Sequence, residues 1–271
     1  MKTQNRILAL INLQEPVNTV IESTVNLAKT FGAEVQFLYV KKNADPTRTE
    51  NQLAVMRAIL DEHKAIEGFK NVVNKTQKEN PLKLEYTIAE GKVKKTILST
   101  IQSYRPDLVV LGKRKPSMYR LIGNQVTEFV VKNFDGPLFM AHPTKVLEIK
   151  ENLSLGVLND ISSIEEHGVT NALLARTEKP LKRFKIADKY VAAQTSDSQQ
   201  TKTIDFTFEN NQNALKSLTS YVHKNDVHLL FLDRVTDKKA QQNVNFKEVV
   251  KRINTSMLML GSNQTKSLIK A

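Results

Sequence analysis

In the first part of the chain, short apolar runs typical of β-strands alternate with segments whose apolar residues have the spacing of an α-helix. An apolar run at residues 7–11 predicts a short strand, and apolar positions at helical spacing over residues 17–31 predict a helix. Gly32 is expected to end that helix, and residues 34–40 form the next predicted strand. Strand, helix and strand joined by short connections predict a βαβ unit.

The same alternation continues to residue 141. A long amphipathic stretch at residues 53–73 predicts a surface-packed helix that ends before Asn80 and Pro81. The later predictions are a strand at 82–88, a helix at 93–104, a continuous apolar strand at 107–111, a helix at 126–134 and a strand at 137–141. The first part of the chain is therefore predicted to be an α/β domain with five mainly parallel strands and flanking helices.

The second half of the chain repeats the first. Residues 8–12 match 155–159, residues 97–111 match 218–232, and residues 130–140 match 249–259. The offset between matched segments falls from 147 to 121 residues, so the second copy is shorter. We therefore expect two tandem domains, residues 1–146 and 147–271, the second reduced. Its predicted strands lie near 153–158, 181–187, 203–208, 227–232 and 256–260, with a polar loop at 195–203.

Composition indicates a folded, intracellular protein. Of the 271 residues 40% are hydrophobic and 25% are charged, which is close to the average for globular proteins. The chain has no cysteine, which excludes disulfides, thiol catalysis and thiolate metal sites. No export signal or membrane-spanning run is found, because the longest apolar runs are far below the ~20 residues that a bilayer requires. We expect a cytoplasmic location.

The net charge of +12 suggests an anionic partner, but its distribution weakens that interpretation. Basic residues are in excess in both halves, and no basic tail or arm is present. Aromatic residues are only 6% of the chain, with no tryptophan, so few side chains can stack on bases. Nucleic-acid binding is therefore kept as a disfavoured alternative.

Candidate ligand-binding residues follow the predicted strands, because open parallel sheets bind ligands at the carboxyl ends of their strands. Asn12 follows the first strand and Val40 ends the second. The segment after the fourth strand carries two glycines and several cations before a predicted helix, where backbone N–H groups favour phosphate. Its candidate residues are Gly112, Lys113, Arg114, Gly123, Asn124 and Gln125. A capped turn with no ligand is the alternative, with Asn124 as N-cap.

Taken together, these segments resemble the universal stress protein family in its tandem two-domain form. The points of resemblance are Asn12 after the opening strand, the strand at 34–40, the segment 107–112, and the helix from 126 that leads into 136–140. The resemblance covers nearly the whole chain. It implies two Rossmann-like domains of the adenine nucleotide alpha hydrolase-like fold, a role in stress response, and binding of ATP or AMP in the first domain.

The phosphate loop departs from the pattern of the family, which is Gly-x2-Gly-x9-Gly-(Ser/Thr). Gly112 fits the first glycine, but Lys115 stands at the second. Gly123 lies two residues before the third and is followed by Asn124. The aspartate that the family carries after its first strand is Asn12 here. These differences leave two alternatives to a nucleotide, namely a different anion or no ligand.

The second domain departs further from this pattern, since Asp233 replaces Gly112 and no glycine follows up to residue 245. We interpret it as a partner domain that pairs with the first in an intramolecular pseudo-dimer. The resemblance suggests pairing of residues 138–141 with 257–260, which would cover two apolar edge strands. An unidentified protein partner is expected, and a homodimer is a further alternative.

No catalytic or metal-binding constellation is found in the sequence. The five histidines lack metal-ligand spacing, and no nucleophile elbow, zinc motif or phosphate-loop motif is present. The preferred function is a stress-response regulator that is not an enzyme, acts by protein interaction and is tuned by a nucleotide. A nucleotide-hydrolysing enzyme of the same fold and a basic nucleic-acid-binding protein are the alternatives.

Overall fold

The computed structural model describes residues 4–14, 17–41, 52–113, 125–159, 168–187, 194–197, 202–234 and 246–261. The chain forms two compact units, Met1–Phe134 and Asp135–Ala271. The predicted strand at 137–141 thus packs in the second unit, although the repeat in sequence assigns it to the first copy. The domain bounds 1–146 and 147–271, which were derived from the repeat in the sequence, stay a prediction.

The first unit contains a parallel sheet with helices between its strands. Its elements are β1 (Asn5–Ile11), α1 (Asn18–Phe31), β2 (Ala33–Lys41), α2 (Gln52–Glu79), β3 (Leu84–Glu90), α3 (Val93–Tyr104), β4 (Leu108–Gly112) and α4 (Gln125–Asn133). The strand order is β3-β2-β1-β4, and all three pairs are parallel. Each helix and strand predicted for this part of the chain is present, which confirms the α/β fold.

Two parts of α2 differ in their packing. Phe69 is buried and packs edge-on against the rings of Phe37 and Tyr86, with centroids 6.3 and 5.9 Å apart. The first half of the helix instead exposes four large apolar residues, which are Leu53, Met56, Ile59 and Leu60. The expected surface packing is therefore present only in the second half of the helix.

The second unit is also mainly parallel. Its elements are β5 (Leu138–Ala141), β6 (Leu155–Leu158), α5 (Gly168–Leu174), β7 (Leu181–Ala187), β8 (Gln194–Asp197), β9 (Lys202–Glu209), α6 (Ala214–Lys224), β10 (Leu229–Asp233), α7 (Phe246–Arg252) and β11 (Ser256–Leu260). The strand order is β5-β11-β10-β6-β7-β9-β8. Of these described strands, only β5 and β8 run antiparallel to their neighbours. Among the described helices of both units, none has the length and apolar character to cross a membrane.

The prediction of a loop at residues 195–203 is wrong at both ends of this range, because each end belongs to a strand. Gln194–Asp197 form β8, which pairs antiparallel with β9, and β9 already begins at Lys202. An edge strand can be polar because it does not need to enter the core, so no apolar alternation marks it in the sequence.

The predicted pairing of residues 138–141 with 257–260 is confirmed. β5 and β11 pair antiparallel, with Phe139 opposite Leu258 and Met259 opposite Leu138. Every residue of both strands is buried, so this pair lies in the hydrophobic core of the second unit. The interpretation of the two copies as a pseudo-dimer stays a proposal.

Gly32 ends α1 as predicted, in the left-handed conformation with φ of 59°. We expect Gly32→Ala to destabilise the protein by about 1 kcal/mol, because a Cβ disfavours this conformation. Gly68→Ala is the matched control, since Gly68 lies inside α2 and has open space where a Cβ would lie. That change should instead stabilise by up to about 1 kcal/mol. Urea denaturation measures both, and equal effects would contradict this account.

Candidate functional site

The order of strands in the first unit reverses beside β1. The chain passes from β1 to β2 on one side of β1, and later returns to place β4 on the other side. Leu10 of β1 lies opposite Leu111 of β4, and Ile11 lies opposite Tyr39 of β2. In sheets of this kind a crevice opens beyond the carboxyl ends of the strands at the point of reversal.

Three of the predicted site residues lie at this carboxyl edge. Asn12 and Val40 each come one residue after the opposed pair Ile11 and Tyr39. Lys113 comes two residues after Leu111, just as Asn12 comes two after Leu10. The structure thus brings the backbone of Asn12, Val40 and Lys113 to one level at the end of three adjacent strands.

Gly112 permits a close approach between β4 and α1. A Cβ at this position would lie 3.0 Å from Cγ2 of Val20, which is tighter than ordinary contact. A larger residue here would require Val20 to shift by a few tenths of an ångström. Asn12 has a related local role, since its Oδ1 accepts a hydrogen bond from the backbone N–H of Gln14 at 3.3 Å. This bond orders the turn that leads from β1 towards α1.

Lys113 is a buried cation at the edge of the sheet. The residue is only 8% exposed, and burial lowers the pKa of its ammonium group to about 8. Removal from water disfavours the charged form of an amine, which is the physical cause of this shift. A negatively charged ligand beside Lys113 would favour the charged form again. The position is therefore electrostatically suited to an anion.

The remaining predicted site residues belong to the segment before α4. Gln125 is exposed and begins α4, where free backbone N–H groups face outward from a helix start. Arg114, Gly123 and Asn124 lie outside the residues that the structure describes. Of the predicted phosphate loop, the structure thus describes the first end, Gly112 and Lys113, and the last residue, Gln125.

The second unit carries a different group at the equivalent place. Asp233 ends β10, and the next residue, Arg234, corresponds to Lys113 in the repeat. The Arg234 guanidinium donates to the carbonyl oxygen of Gly136, and its backbone N–H donates to the carbonyl oxygen of Leu260 at 3.0 Å. Burial lowers the pKa of Arg234 to about 10. Arg234 therefore links the ends of β10 and β11 to the start of β5.

Metal binding receives no support from the residues that the structure describes. Within them, no group of three or more His, Asp or Glu side chains is placed to hold a metal ion. The expectations of no metal and no enzymatic activity stay expectations.

Sequence reasoning missed two features. It placed Lys113 among the candidate anion-binding residues of a basic loop and did not predict that this residue is buried. It also treated the histidines singly, whereas His142 and His228 line one cavity in the second unit. The apolar strand directly before Lys113 is a signal that could have indicated burial. No sequence signal connects His142 with His228.

The parallel sheet and the reversal of its strand order beside β1 define a class of α/β proteins that bind ligands at the carboxyl edge of the sheet. The model of the universal stress protein family matches residues 4–142. Because this match covers half of the chain, the protein belongs to the universal stress protein family.

Solved structures agree with this fold. A universal stress protein from Archaeoglobus fulgidus superposes with a TM-score of 0.61 at 13% identity, covering 95% of this chain and 98% of that chain. A functionally unknown protein from Pseudomonas aeruginosa gives a TM-score of 0.57 at 11% identity, covering 95% and 92%. At such low identity the likeness shows the fold alone. No curated protein matches this chain.

Proposed function

We propose that this protein is a stress-response regulator that binds the phosphate of an adenine nucleotide, ATP or AMP, at the carboxyl edge of β1 and β4. Membership of the universal stress protein family supports the stress-response role. The observation that carries the nucleotide proposal is the buried ammonium of Lys113 beside Gly112 at the point where the strand order reverses. The proposal that the protein acts by binding a protein partner is supported by the sequence alone.

The described residues fit an anionic ligand. Lys113 would hold a phosphate group, since an anion offsets the cost of burying its charge. The Asn12 amide would offer a hydrogen bond at the same level of the sheet, and half-buried Val40 would offer an apolar contact for a base. Gly112 would keep β4 close to α1 beside the ligand.

We further propose one nucleotide per chain. In the second unit the Asp233 carboxylate would repel phosphate, and the Arg234 guanidinium is already hydrogen-bonded to Gly136. The second unit would therefore contribute through protein contacts.

Thermal unfolding with and without millimolar Mg-ATP, ADP and AMP tests this proposal. A ligand at 100 times its Kd stabilises the native state by roughly 2.7 kcal/mol, so a rise of several degrees in Tm is expected. Lys113→Met should remove this rise because it removes the cation and keeps a side chain of similar length. Lys95→Met, which changes an exposed lysine of α3, should retain the rise. No rise in the wild type, or an equal rise in both variants, would overturn the proposal.

A further inference from the structure

β3 is the outermost strand of the sheet in the first unit. Its neighbour on one side is β2, and none of the described strands pairs with its other side. At seven residues β3 is longer than β8, the four-residue strand at the edge of the second unit. It contains no proline, and its residues 86–89 carry no charge. The middle of β3 therefore lacks the features with which edge strands avoid pairing with another chain.

Backbone hydrogen bonds show which residues of this strand point away from β2. The carbonyl oxygen of Lys83 accepts the N–H of Val35 in β2 at 2.9 Å, and Gly91 likewise donates its N–H to β2 at 3.1 Å. Successive residues of a strand direct their backbone groups to opposite sides, so the odd-numbered residues point to β2 and the even-numbered residues point outward. Tyr86 and Ile88 thus present their N–H and C=O groups at the edge of the sheet.

β3 is complementary to a second copy of itself. If two copies pair antiparallel about the middle of the strand, Thr87 lies opposite Thr87 of the second copy, and Tyr86 lies opposite Ile88 of the second copy. The two Tyr86–Ile88 pairs would exchange four N–H···O bonds, because the backbone groups of both residues point outward. An aromatic residue beside a β-branched residue, and threonine beside threonine, are also favourable cross-strand pairs.

The position of α2 fits the same pairing. The ring of Phe69 contacts Phe37 of β2 and Tyr86 of β3, with centroids 6.3 and 5.9 Å apart, so α2 lies above the gap between these strands. A two-fold axis perpendicular to the sheet keeps both copies of α2 on one face. Neighbouring strands are about 4.8 Å apart, so the two helices would lie about 10 Å apart. Helices pack against each other at about 8–10 Å.

Charged residues of α2 would meet opposite charges across this axis. Gln77 bonds to the backbone at the start of β3, and Thr87 lies about 13 Å further along the strand. At about 1.5 Å per residue this is about nine residues of helix, so Gly68 is level with Thr87. Glu67 and Lys70 lie on either side of this level, and both side chains are partly exposed. Two antiparallel helices would therefore place Glu67 of each copy beside Lys70 of the other.

We propose that the chain forms a symmetric homodimer through β3, with the two strands paired antiparallel about Thr87 and the two α2 helices side by side. Glu85 and Glu90 would face the apolar residues Ala89 and Leu84 of the second copy, so no like charges are directly opposed. Antiparallel pairing of two strands also joins β5 to β11 within the chain. The contact is small, so a dimerisation Kd in the micromolar range is expected. The dimer needs no nucleotide, so its test is independent of the proposed function.

Sedimentation velocity of the whole protein, from low micromolar to several hundred micromolar, tests this inference. The wild type should pass from monomer to dimer over this range. Thr87→Lys changes an exposed position and places two ammonium groups opposite each other on the axis, so it should raise the dimerisation Kd about tenfold. Thr87→Glu should do the same. An equimolar mixture of the two variants should form a heterodimer at least as tight as the wild-type dimer, because opposite charges then meet.

Ser99→Lys is the matched control, since it adds the same charge at an exposed position of α3. This variant should dimerise like the wild type. A wild type that stays monomeric over the whole range, or a mixture that does not recover the dimer, would overturn the proposal. Equal dimerisation of Thr87→Lys and the wild type would also overturn it and would assign the contact to another surface, such as the exposed apolar residues of α2.

Discussion

Met259→Lys is expected to lower the free energy of unfolding by about 3–5 kcal/mol at pH 7, the range found for an uncompensated buried charge. Met259 is 0% exposed in β11. Its strand is covered on both sides, with Leu232 of β10 opposite on one side and Leu138 of β5 on the other. The new ammonium group would replace a buried apolar side chain whose partners in both neighbouring strands are leucines.

Urea denaturation followed by far-UV circular dichroism measures this effect. Met259→Leu is the packing control and should cost less than about 1.5 kcal/mol, because the volume is conserved. Met56→Lys is the charge control and should change stability by less than about 0.5 kcal/mol, since Met56 is 64% exposed on α2. If Met259→Lys were as stable as Met259→Leu, the strand pairing of β5 and β11 would be wrong.

Lys113→Met is expected to be more stable than the wild type at pH 7, by up to about 3 kcal/mol. The folded protein holds the pKa of Lys113 at about 8, while an unfolded lysine titrates near its ordinary value of 10.5. Each pKa unit corresponds to about 1.4 kcal/mol, which gives this upper value. The free-energy cost of burying the charged amine is present in full below pH 8, where Lys113 is protonated in both the folded and the unfolded state.

The pH dependence gives the sign of this effect. Between pH 8 and pH 10.5 the unfolded state binds a proton that the folded state does not, so the wild type gains stability with rising pH. The difference between the wild type and Lys113→Met should therefore shrink over this window and vanish above it. Denaturation at several pH values measures the difference, with Lys95→Met as the exposed control. A constant difference would show that Lys113 is not a buried charge.

Local chemistry made most of the fold predictable. Gly32 marked the end of α1 because glycine adopts positive φ at little cost, and the structure has φ of 59° there. The apolar residues 108–111 indicated a central strand because a continuous apolar run is typical of strands that are buried on both faces. The pairing of β5 with β11 was suggested by the resemblance to the family, and it covers two apolar strands that would otherwise be exposed edges.

Features that depend on distant residues were not predictable in this way. The exposure of Leu53 and Met56 depends on what packs against the first half of α2, whereas their helical spacing is the same in either case. The burial of Lys113 depends on its surroundings in the folded chain. The cavity joins His142 to His228, which are brought together only by the neighbouring positions of β5, β11 and β10.

Proton uptake on nucleotide binding tests the central claim most directly. Isothermal titration calorimetry of Mg-ATP at pH 8.5, repeated in buffers of different ionisation enthalpy, counts the protons bound with the ligand. Phosphate beside Lys113 would raise the pKa of that amine from about 8, so the wild type should take up a substantial fraction of one proton. Lys113→Met should take up none. Absence of binding, or binding with no proton uptake by the wild type, would contradict the account.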